Sequence, residues 1–203
     1  MDWILPTKVG RVVDLGAGTG ALTRLLIDRA EEVIAVEPDD RMRSVLVEQA
    51  PGIRAVPRRG ESMPIPDSCA DAVLASSSWH WMDPIPTLRE VGRILVPGGT
   101  LAALWSGPDP EGPFVIQAQA LLAEQSREME ITSLIMGDAR RPASSLETPG
   151  VPFDQPEHEV FTWDVALDAD ELIGLLGTVS WIITMPEETR QRVIVEARRL
   201  LRE

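Results

Sequence analysis

A histidine between two tryptophans is the first candidate for chemistry in this sequence. His80 lies between Trp79 and Trp81 in the stretch LASSSWHWMDP, after a short apolar run that ends in three serines. With an ordinary pKa of about 6.5, a histidine can accept or release a proton near neutral pH. An indole ring offers a large apolar face and one N–H donor. Three interpretations are open: a general base, the wall of a ligand pocket, or ordinary packing.

A glycine-rich turn is the second candidate site. The segment VVDLGAGTGA places Gly16, Gly18 and Gly20 between a β-branched run and a helical one. Glycine lets the backbone turn tightly and approach a ligand, and the free N–H groups of the next helix favour an anionic or carboxylate-bearing group. With Ala21, the loop also satisfies the dinucleotide fingerprint G-x-G-x-x-G/A. An NAD site and a turn without a ligand are therefore both open here.

An acidic residue follows at the spacing that nucleotide-binding loops show. Glu37 ends the run EVIAVEP, about 20 residues beyond the glycines. A carboxylate at this position can accept two hydrogen bonds from a ribose diol. The alternative is a solvated acid in front of Pro38. Because spacing and position agree, the sequence favours ribose binding.

Alternating strand and helix signals position these residues. The strands predicted in the first half are GRVVDLG, EVIAVEP, IRAVPR, ADAVLAS and TLAALWS, with helical patterns between most of them. Because the strands are apolar on both faces, they suit a parallel sheet covered by helices. The prediction is an α/β fold with a doubly wound, mostly parallel sheet. His80 then lies beyond the carboxyl ends of the strands, where ligands of such sheets bind.

The second half of the chain is less regular. It predicts a helix over Pro113–Glu130, a flexible loop over 137–156 rich in Gly, Pro, Asp and Ser, and a sixth strand at HEVFTWDVAL. A helix begins at the capping residue Asp168, and a last helix follows Pro186 and ends among arginines.

Size and composition narrow the function classes. The 203 residues suit a single domain over 1–203, with a cofactor-binding half at 1–105 and a substrate-side half at 106–203. The net charge of −13 argues against nucleic acid as a partner. Cys69 is the only cysteine and there are two histidines, so we expect no disulfide and no metal site. Without a secretory signal or a membrane-length apolar run, we expect a cytoplasmic protein.

Four motifs in order identify a family. VVDLGAGTG carries Asp14 just before the glycines, and AVEPDDRM has Met42 five residues after the acid. GESMPIPDSCADAVLASSSWHW and LREVGRILVPGGTLAAL follow. Over about Gly10 to Trp105 the chain resembles class I S-adenosylmethionine-dependent methyltransferases, most of all the small-molecule group with the ubiquinone/menaquinone-biosynthesis and trans-aconitate enzymes. Dehydrogenases lack the last two motifs, and 203 residues leave no room for a second substrate domain.

The resemblance implies a cofactor, a site and a reaction. The cofactor is S-adenosyl-L-methionine, and the reaction is methyl transfer to an O, N or C atom of a small molecule. The residues implied to bind the cofactor are Asp14, Gly16, Ala17, Gly18, Gly20, Glu37, Pro38, Met42, Glu61, Ser62, Met63 and Ser76. The residues expected to line the acceptor pocket are Trp79, His80, Trp81 and Trp105, with His80 as the candidate general base. The oligomeric state is left open.

The sequence departs from the family pattern in two places. Arg59 occupies the position, two residues before Glu61, where many relatives carry an aspartate that contacts the adenine. The chain is also expected to be shortened at both termini, with the last antiparallel strand of the sheet not evident. These departures keep open the alternative of a cofactor-binding protein with weak or no catalytic activity.

Overall fold

The computed structural model describes residues 2–5, 7–107, 109, 112, 116, 146, 150–177 and 185–200. The chain divides into two compact units, the first being Met1–Ser106 with Arg140–Glu157 and the second Gly107–Ala139 with His158–Glu203. A single domain over 1–203 stays a prediction. The helix predicted over Pro113–Glu130 and most of the loop predicted over 137–156 lie outside the described residues.

The first unit is built on a five-stranded parallel sheet. The strands are β1 Val9–Leu15, β2 Ala30–Val36, β3 Arg54–Val56, β4 Ala70–Ser76 and β5 Leu95–Leu104, in the order β3-β2-β1-β4-β5. Every neighbouring pair is parallel. This confirms the predicted doubly wound α/β sheet. The described residues include no antiparallel strand in it.

Helices connect the strands. They are α1 Ala21–Leu26, α2 Asp40–Gln49 and α3 Pro84–Ile94, and a 3-10 turn at Trp79–Trp81 precedes α3. Helix α2 begins after Asp39, whose side chain accepts hydrogen bonds from the N–H groups of Arg41 and Met42.

The join between α3 and β5 differs from the prediction. The sequence predicts a helix that runs on to Pro97, but α3 ends at Ile94 and β5 begins at Leu95. A proline disfavours helical backbone in the residue before it, which favours an early end. Gly98 has a φ of +79° and the pairing of β4 with β5 shifts register between Ala70 and Ala72, so the strand absorbs the Pro-Gly-Gly segment as an irregularity.

The core lies on both faces of the sheet. Val13 and Val73 pack in one buried cluster with Leu88 and Val91 of α3. Their neighbours along the strands belong to a second cluster, which also contains residues of α1: Val12, Ala72, Leu74, Leu22 and Leu26. Successive strand residues point to opposite faces, so burial on both faces explains the continuous apolar runs of the sequence.

The second unit contains two described helices, α4 Ala169–Gly177 and α5 Glu187–Leu200. Asp168 Oδ1 accepts from the N–H groups of Asp170 and Glu171, and Glu171 Oε2 accepts from the N–H of Asp168. These reciprocal bonds form a capping box, as the sequence predicts for Asp168.

The predicted sixth strand is wrong. Residues 158–167, HEVFTWDVAL, form no strand, and all ten side chains are exposed. Alternating polar and apolar residues suit a strand only where a neighbouring strand supplies hydrogen bonds and a core takes up the apolar face. No strand of the described residues pairs with this segment.

Candidate functional site

Four strands end together at one edge of the sheet. Leu15 at the end of β1 is in register with Val36 at the end of β2, and Ser76 of β4 with Leu104 of β5. The sheet is parallel, so the loops that follow these strands lie at the same edge. This edge carries the glycine loop, Glu37, the serine run and Trp105.

The glycine loop is held against the end of β2. Gly16, Gly18 and Gly20 have φ angles of +69°, +58° and +85°, a region that side chains with a Cβ rarely adopt. The N–H groups of Gly16 and Ala17 both donate to the Val36 carbonyl, at 2.8 and 3.0 Å. A methyl group on Gly20 would lie 3.0 Å from Leu46 Cγ, whereas one on Gly18 would meet nothing within 4 Å. Backbone at Gly18 therefore borders open space.

Glu37 is a buried carboxylate rather than a solvated acid. The residue is only 6% exposed. Oε2 accepts from the N–H of Gly18 at 2.8 Å, and Oε1 accepts from the N–H of Asp39 at 2.8 Å. A carboxylate has about four acceptor positions, so Glu37 can bind further donors while it holds the glycine loop.

Asp14 lies behind the glycine loop at 1% exposure. Thr23 of α1 donates its hydroxyl to Asp14 Oδ2 at 2.5 Å. Burial raises the pKa of Asp14 to about 6, and the negative charge of Glu37 adds to the rise, while the hydrogen bonds from Thr23 oppose it. A substantial part of the Asp14 population is therefore protonated in mildly acidic solution.

The predicted adenine contacts differ in exposure. Pro38 is exposed, and Met42, in the first turn of α2, is 48% exposed. Both lie close to Glu37 along the chain, so the two side chains are available to a ligand there. Arg59, which departs from the family pattern, is also exposed.

The loop after β3 places its residues in three different environments. Ser62 is exposed. Met63 is 4% exposed within the core, and its N–H donates to Glu90 Oε1 at 2.7 Å. Glu61 Oε1 accepts from the N–H of Asp83 at 3.0 Å, whereas Oε2 is buried without a hydrogen-bond partner among the described residues. Glu61 thus combines a structural contact with free acceptor capacity.

The two tryptophans beside His80 point in different directions. Residues 79–81 form a 3-10 turn, and Trp79 is 2% exposed in the core while Trp81 is 73% exposed. An extended segment would have pointed both rings the same way. Of the two, Trp81 is the one with free surface for a pocket. Trp105 is partly buried against the core.

His80 stands beside Trp81, with the ring centroids 5.0 Å apart and the planes inclined by 42°. The imidazole is exposed, yet neighbouring protein atoms remove part of its hydration, which lowers the pKa of His80 below its usual value. The neutral imidazole, the form that accepts a proton, therefore predominates at pH 7.

Ser77 and Ser78, which sequence reasoning missed, hold this edge together. Ser77 has a φ of +51°, and its N–H donates to the Leu104 carbonyl at 2.8 Å. Ser78 is 7% exposed, and its hydroxyl donates to the Leu15 carbonyl at 2.7 Å. The three-serine run after an apolar strand is the signal that could have indicated such contacts, since short polar side chains bond to backbone where strands end.

Two kinds of feature are absent from the described part of the chain. No group of three or more His, Cys, Asp or Glu side chains there could hold a metal ion. No helix there is long and apolar enough to cross a membrane.

Comparisons with known proteins decide the family. The methyltransferase domain family matches residues 13–103. An uncharacterized methyltransferase of Mycobacterium tuberculosis (strain ATCC 25618 / H37Rv) is 35% identical over 201 residues, which is 99% of this chain and 77% of the relative. The chain belongs to the methyltransferase family. An uncharacterized methyltransferase-like protein of Schizosaccharomyces pombe is 30% identical over 209 residues, 96% of this chain and 75% of the relative.

The fold agrees with the family. A solved structure of a proposed type II methyltransferase from Anaeromyxobacter dehalogenans is similar to this chain with a TM-score of 0.66 and 23% identity, over 98% of this chain and 83% of that one. This methyltransferase is thus of class I, and its cofactor is S-adenosylmethionine. The open backbone at Gly18 and the buried Glu37 carboxylate beside it suit that group.

Proposed function

We propose that this methyltransferase transfers the methyl group of S-adenosylmethionine to an O, N or C atom of a small molecule at the carboxyl edge of the sheet. The observation that carries the proposal is the contact of Glu37 Oε2 with the N–H of Gly18. It joins a buried carboxylate, suited to a ribose diol, to a loop whose backbone borders open space. The exposed His80 and Trp81 follow β4, which neighbours β1.

The residues proposed to hold the cofactor surround that contact. Glu37 accepts from the ribose hydroxyls, and Pro38 and Met42 flank the adenine. Asp14 orients the loop of Gly16, Ala17, Gly18 and Gly20. The others proposed for the cofactor are Glu61, Ser62, Met63 and Ser76. Because the sulfonium of the bound cofactor supplies an activated methyl group, the chain itself needs to align the reactants and exclude water.

His80 is proposed to take the proton of an acceptor that must lose one. Its lowered pKa keeps the imidazole neutral at pH 7, as a general base requires. Trp81 offers an apolar face of the pocket next to it. Trp105 is proposed to line the same pocket, and Trp79 to support it from the core. If His80 only lines the pocket, its loss changes acceptor binding instead of the chemical step.

The acceptor is proposed to be a small molecule rather than a nucleic acid. The net charge of −13 repels a phosphate backbone. The single cysteine agrees with a reducing compartment, and we propose the cytoplasm.

Calorimetry with S-adenosylmethionine tests the proposed site. Glu37→Ala removes the carboxylate. We expect the Kd of this variant for S-adenosylmethionine to be about tenfold higher or more, since hydrogen bonds to a charged group contribute about 1.5–3 kcal/mol each. Glu48→Ala, at an exposed position of α2, is the matched control. An unchanged Kd for Glu37→Ala, with binding intact, contradicts the assignment.

A metabolite panel tests the reaction. We expect release of S-adenosylhomocysteine with one class of acceptor. If the protein binds the cofactor but no acceptor on a broad panel gives release, the alternative of a cofactor-binding protein with weak or no activity is favoured.

A further inference from the structure

His80 and Trp81 lie on a short segment, residues 78–83, that connects β4 to α3. His80 is exposed and Trp81 is 73% exposed. Little core packing therefore fixes the two rings themselves, and their positions depend on how the backbone of the segment is held. The segment contacts both loops proposed to bind the cofactor, the glycine loop and the loop after β3.

The first end of the segment is fastened to the glycine loop. The buried Ser78 donates its hydroxyl to the Leu15 carbonyl at 2.7 Å. A methyl group on Gly16 would lie 2.5 Å from Ser78 Cβ and 2.8 Å from its Oγ. The serine therefore packs directly on Gly16, and a displacement of the loop must displace Ser78 too.

The other end is fastened to the loop after β3. The N–H of Asp83, the residue directly before α3, donates to Glu61 Oε1 at 3.0 Å. A carboxylate at this end of a helix is favourable because the helix N-terminus carries partial positive charge. Glu61 Oε2 is buried, and no described residue donates to it. One oxygen of Glu61 thus holds the segment while the other can accept from a ligand.

Met82 fills the space between the two loops. A methyl group on Gly16 would lie 3.1 Å from Met82 Cε, and one on Gly60 would lie 3.1 Å from Met82 Sδ. The thioether therefore contacts the glycine loop and the Gly60–Glu61 turn together. An unbranched, adaptable side chain suits this wedge position.

We infer that Ser78, Met82 and Glu61 are positioning residues, which make the placement of His80 and Trp81 depend on the two cofactor loops. A ligand that fixes the glycine loop and Glu61 fixes the segment from both ends and through its middle. The acceptor side of the site is thereby ordered when the cofactor binds. This inference rests on the proposed function, because that proposal gives His80 and Trp81 to the acceptor.

Hydrogen–deuterium exchange of the full chain tests the coupling, with saturating S-adenosylhomocysteine as the probe and no acceptor present. We expect exchange over residues 78–83 to slow about fivefold or more in the wild type, the low end of ordinary site-to-site coupling. In Met82→Ala and Glu61→Ala the slowing should be lost while calorimetry still shows saturation. Met82→Leu keeps the volume and should retain the slowing.

The ratio of exchange with and without the probe separates coupling from simple stability. A purely structural contact changes exchange equally in both states and leaves that ratio unchanged. Ser78→Ala, which removes one hydroxyl, is a further variant expected to lower the ratio should Met82→Ala fold poorly. No slowing in the saturated wild type, or an unchanged ratio in Met82→Ala or Ser78→Ala, overturns the inference. If the slowing is seen but no acceptor is ever methylated, the inference stands and the proposed reaction falls.

Discussion

Asp14 has a pKa well above the usual value of an aspartate. Its carboxyl is buried behind the glycine loop, and its pKa is raised to about 6, mainly by burial. A raised folded-state pKa means that the folded chain binds a proton more tightly than the unfolded chain. The stabilisation from that proton is complete below the unfolded pKa, near 3.8, and is lost as pH rises through about 6.

Asp14→Asn is therefore expected to stabilise the protein above pH 6. The neutral amide can still accept from Thr23 but cannot ionise, so the gain at pH 8 is up to about 3 kcal/mol and vanishes near pH 4. Urea unfolding at the two pH values measures this difference. Asp28→Asn, at an exposed position, is the control and should show no such pH dependence. Equal unfolding midpoints of wild type and Asp14→Asn at pH 8 contradict the argument.

His80 makes a second residue-scale prediction, for the rate. If His80 accepts the acceptor's proton, His80→Ala lowers kcat about 10²- to 10⁴-fold and removes the acidic limb of the pH–rate profile. The lowered pKa of His80 places that limb below about pH 6.5. A change confined to the KM of the acceptor would assign His80 to the pocket wall. Trp81→Phe is the comparison, expected to affect KM with the pH profile unchanged.

At the scale of elements, the glycine loop offers a paired test of space against backbone conformation. Gly16 and Gly18 both have positive φ, but only a methyl group on Gly16 would collide with another residue, Ser78. Gly16→Ala should therefore unfold at clearly lower urea. Gly18→Ala should lose about 1–2 kcal/mol from backbone strain alone and mainly weaken S-adenosylmethionine binding. Urea unfolding midpoints and calorimetry of the two variants distinguish these effects. Equal midpoints would show that Ser78 moves aside for the added methyl group.

Arg93 joins helix α3 to the loop after β3. Its guanidinium donates to the carbonyls of Met63 and Ile65 and pairs with Asp67 and Glu90. Glu90 in turn accepts from the N–H of Met63. The helix that follows His80 and the loop that carries Glu61 are thus held together by several bonds.

Arg93→Ala is expected to lower the free energy of unfolding by about 2 kcal/mol or more, because it leaves loop carbonyls without donors. Urea denaturation measures the loss. Arg89→Ala, at an exposed position of the same helix, is the matched control and should change stability by less than about 0.5 kcal/mol. A loss of that small size for Arg93 itself would show that the loop is held by its core packing.

For the whole molecule, charge is the dominant property. A net charge of −13 over 203 residues makes the folded state repel itself. Raising NaCl from about 20 to about 200 mM shortens the screening length from roughly 20 Å to roughly 7 Å. We expect the Tm to rise by about 2–5 °C over this range of salt. Differential scanning calorimetry measures this change. A falling Tm would mean that attractive ion pairs outweigh the net repulsion.

The sequence predicted most of the first unit and both described helices of the second, but it wrongly predicted a strand there. Strands buried on both faces can be predicted because their sequences are continuous apolar runs. Helix starts can be predicted because capping residues such as Asp39 and Asp168 bond to backbone within one helical turn. The segment HEVFTWDVAL failed as a strand because its alternation shows which side chains could be buried, while a strand also needs a partner. That partner is a property of the fold and is not encoded in the ten residues.

Local sequence patterns identify which residues lie at the carboxyl edge. The succession of strands along the chain, the glycines after β1 and the acid after β2 follow from these patterns, and the parallel sheet brings them to one edge. How that edge is assembled depends on contacts that form only in the folded chain. The turn at 79–81 sends Trp79 into the core and Trp81 outward, and Met82 lies between Gly16 and Gly60. These contacts join residues far apart in the chain, and the free energy of packing that selects them is a property of the whole core.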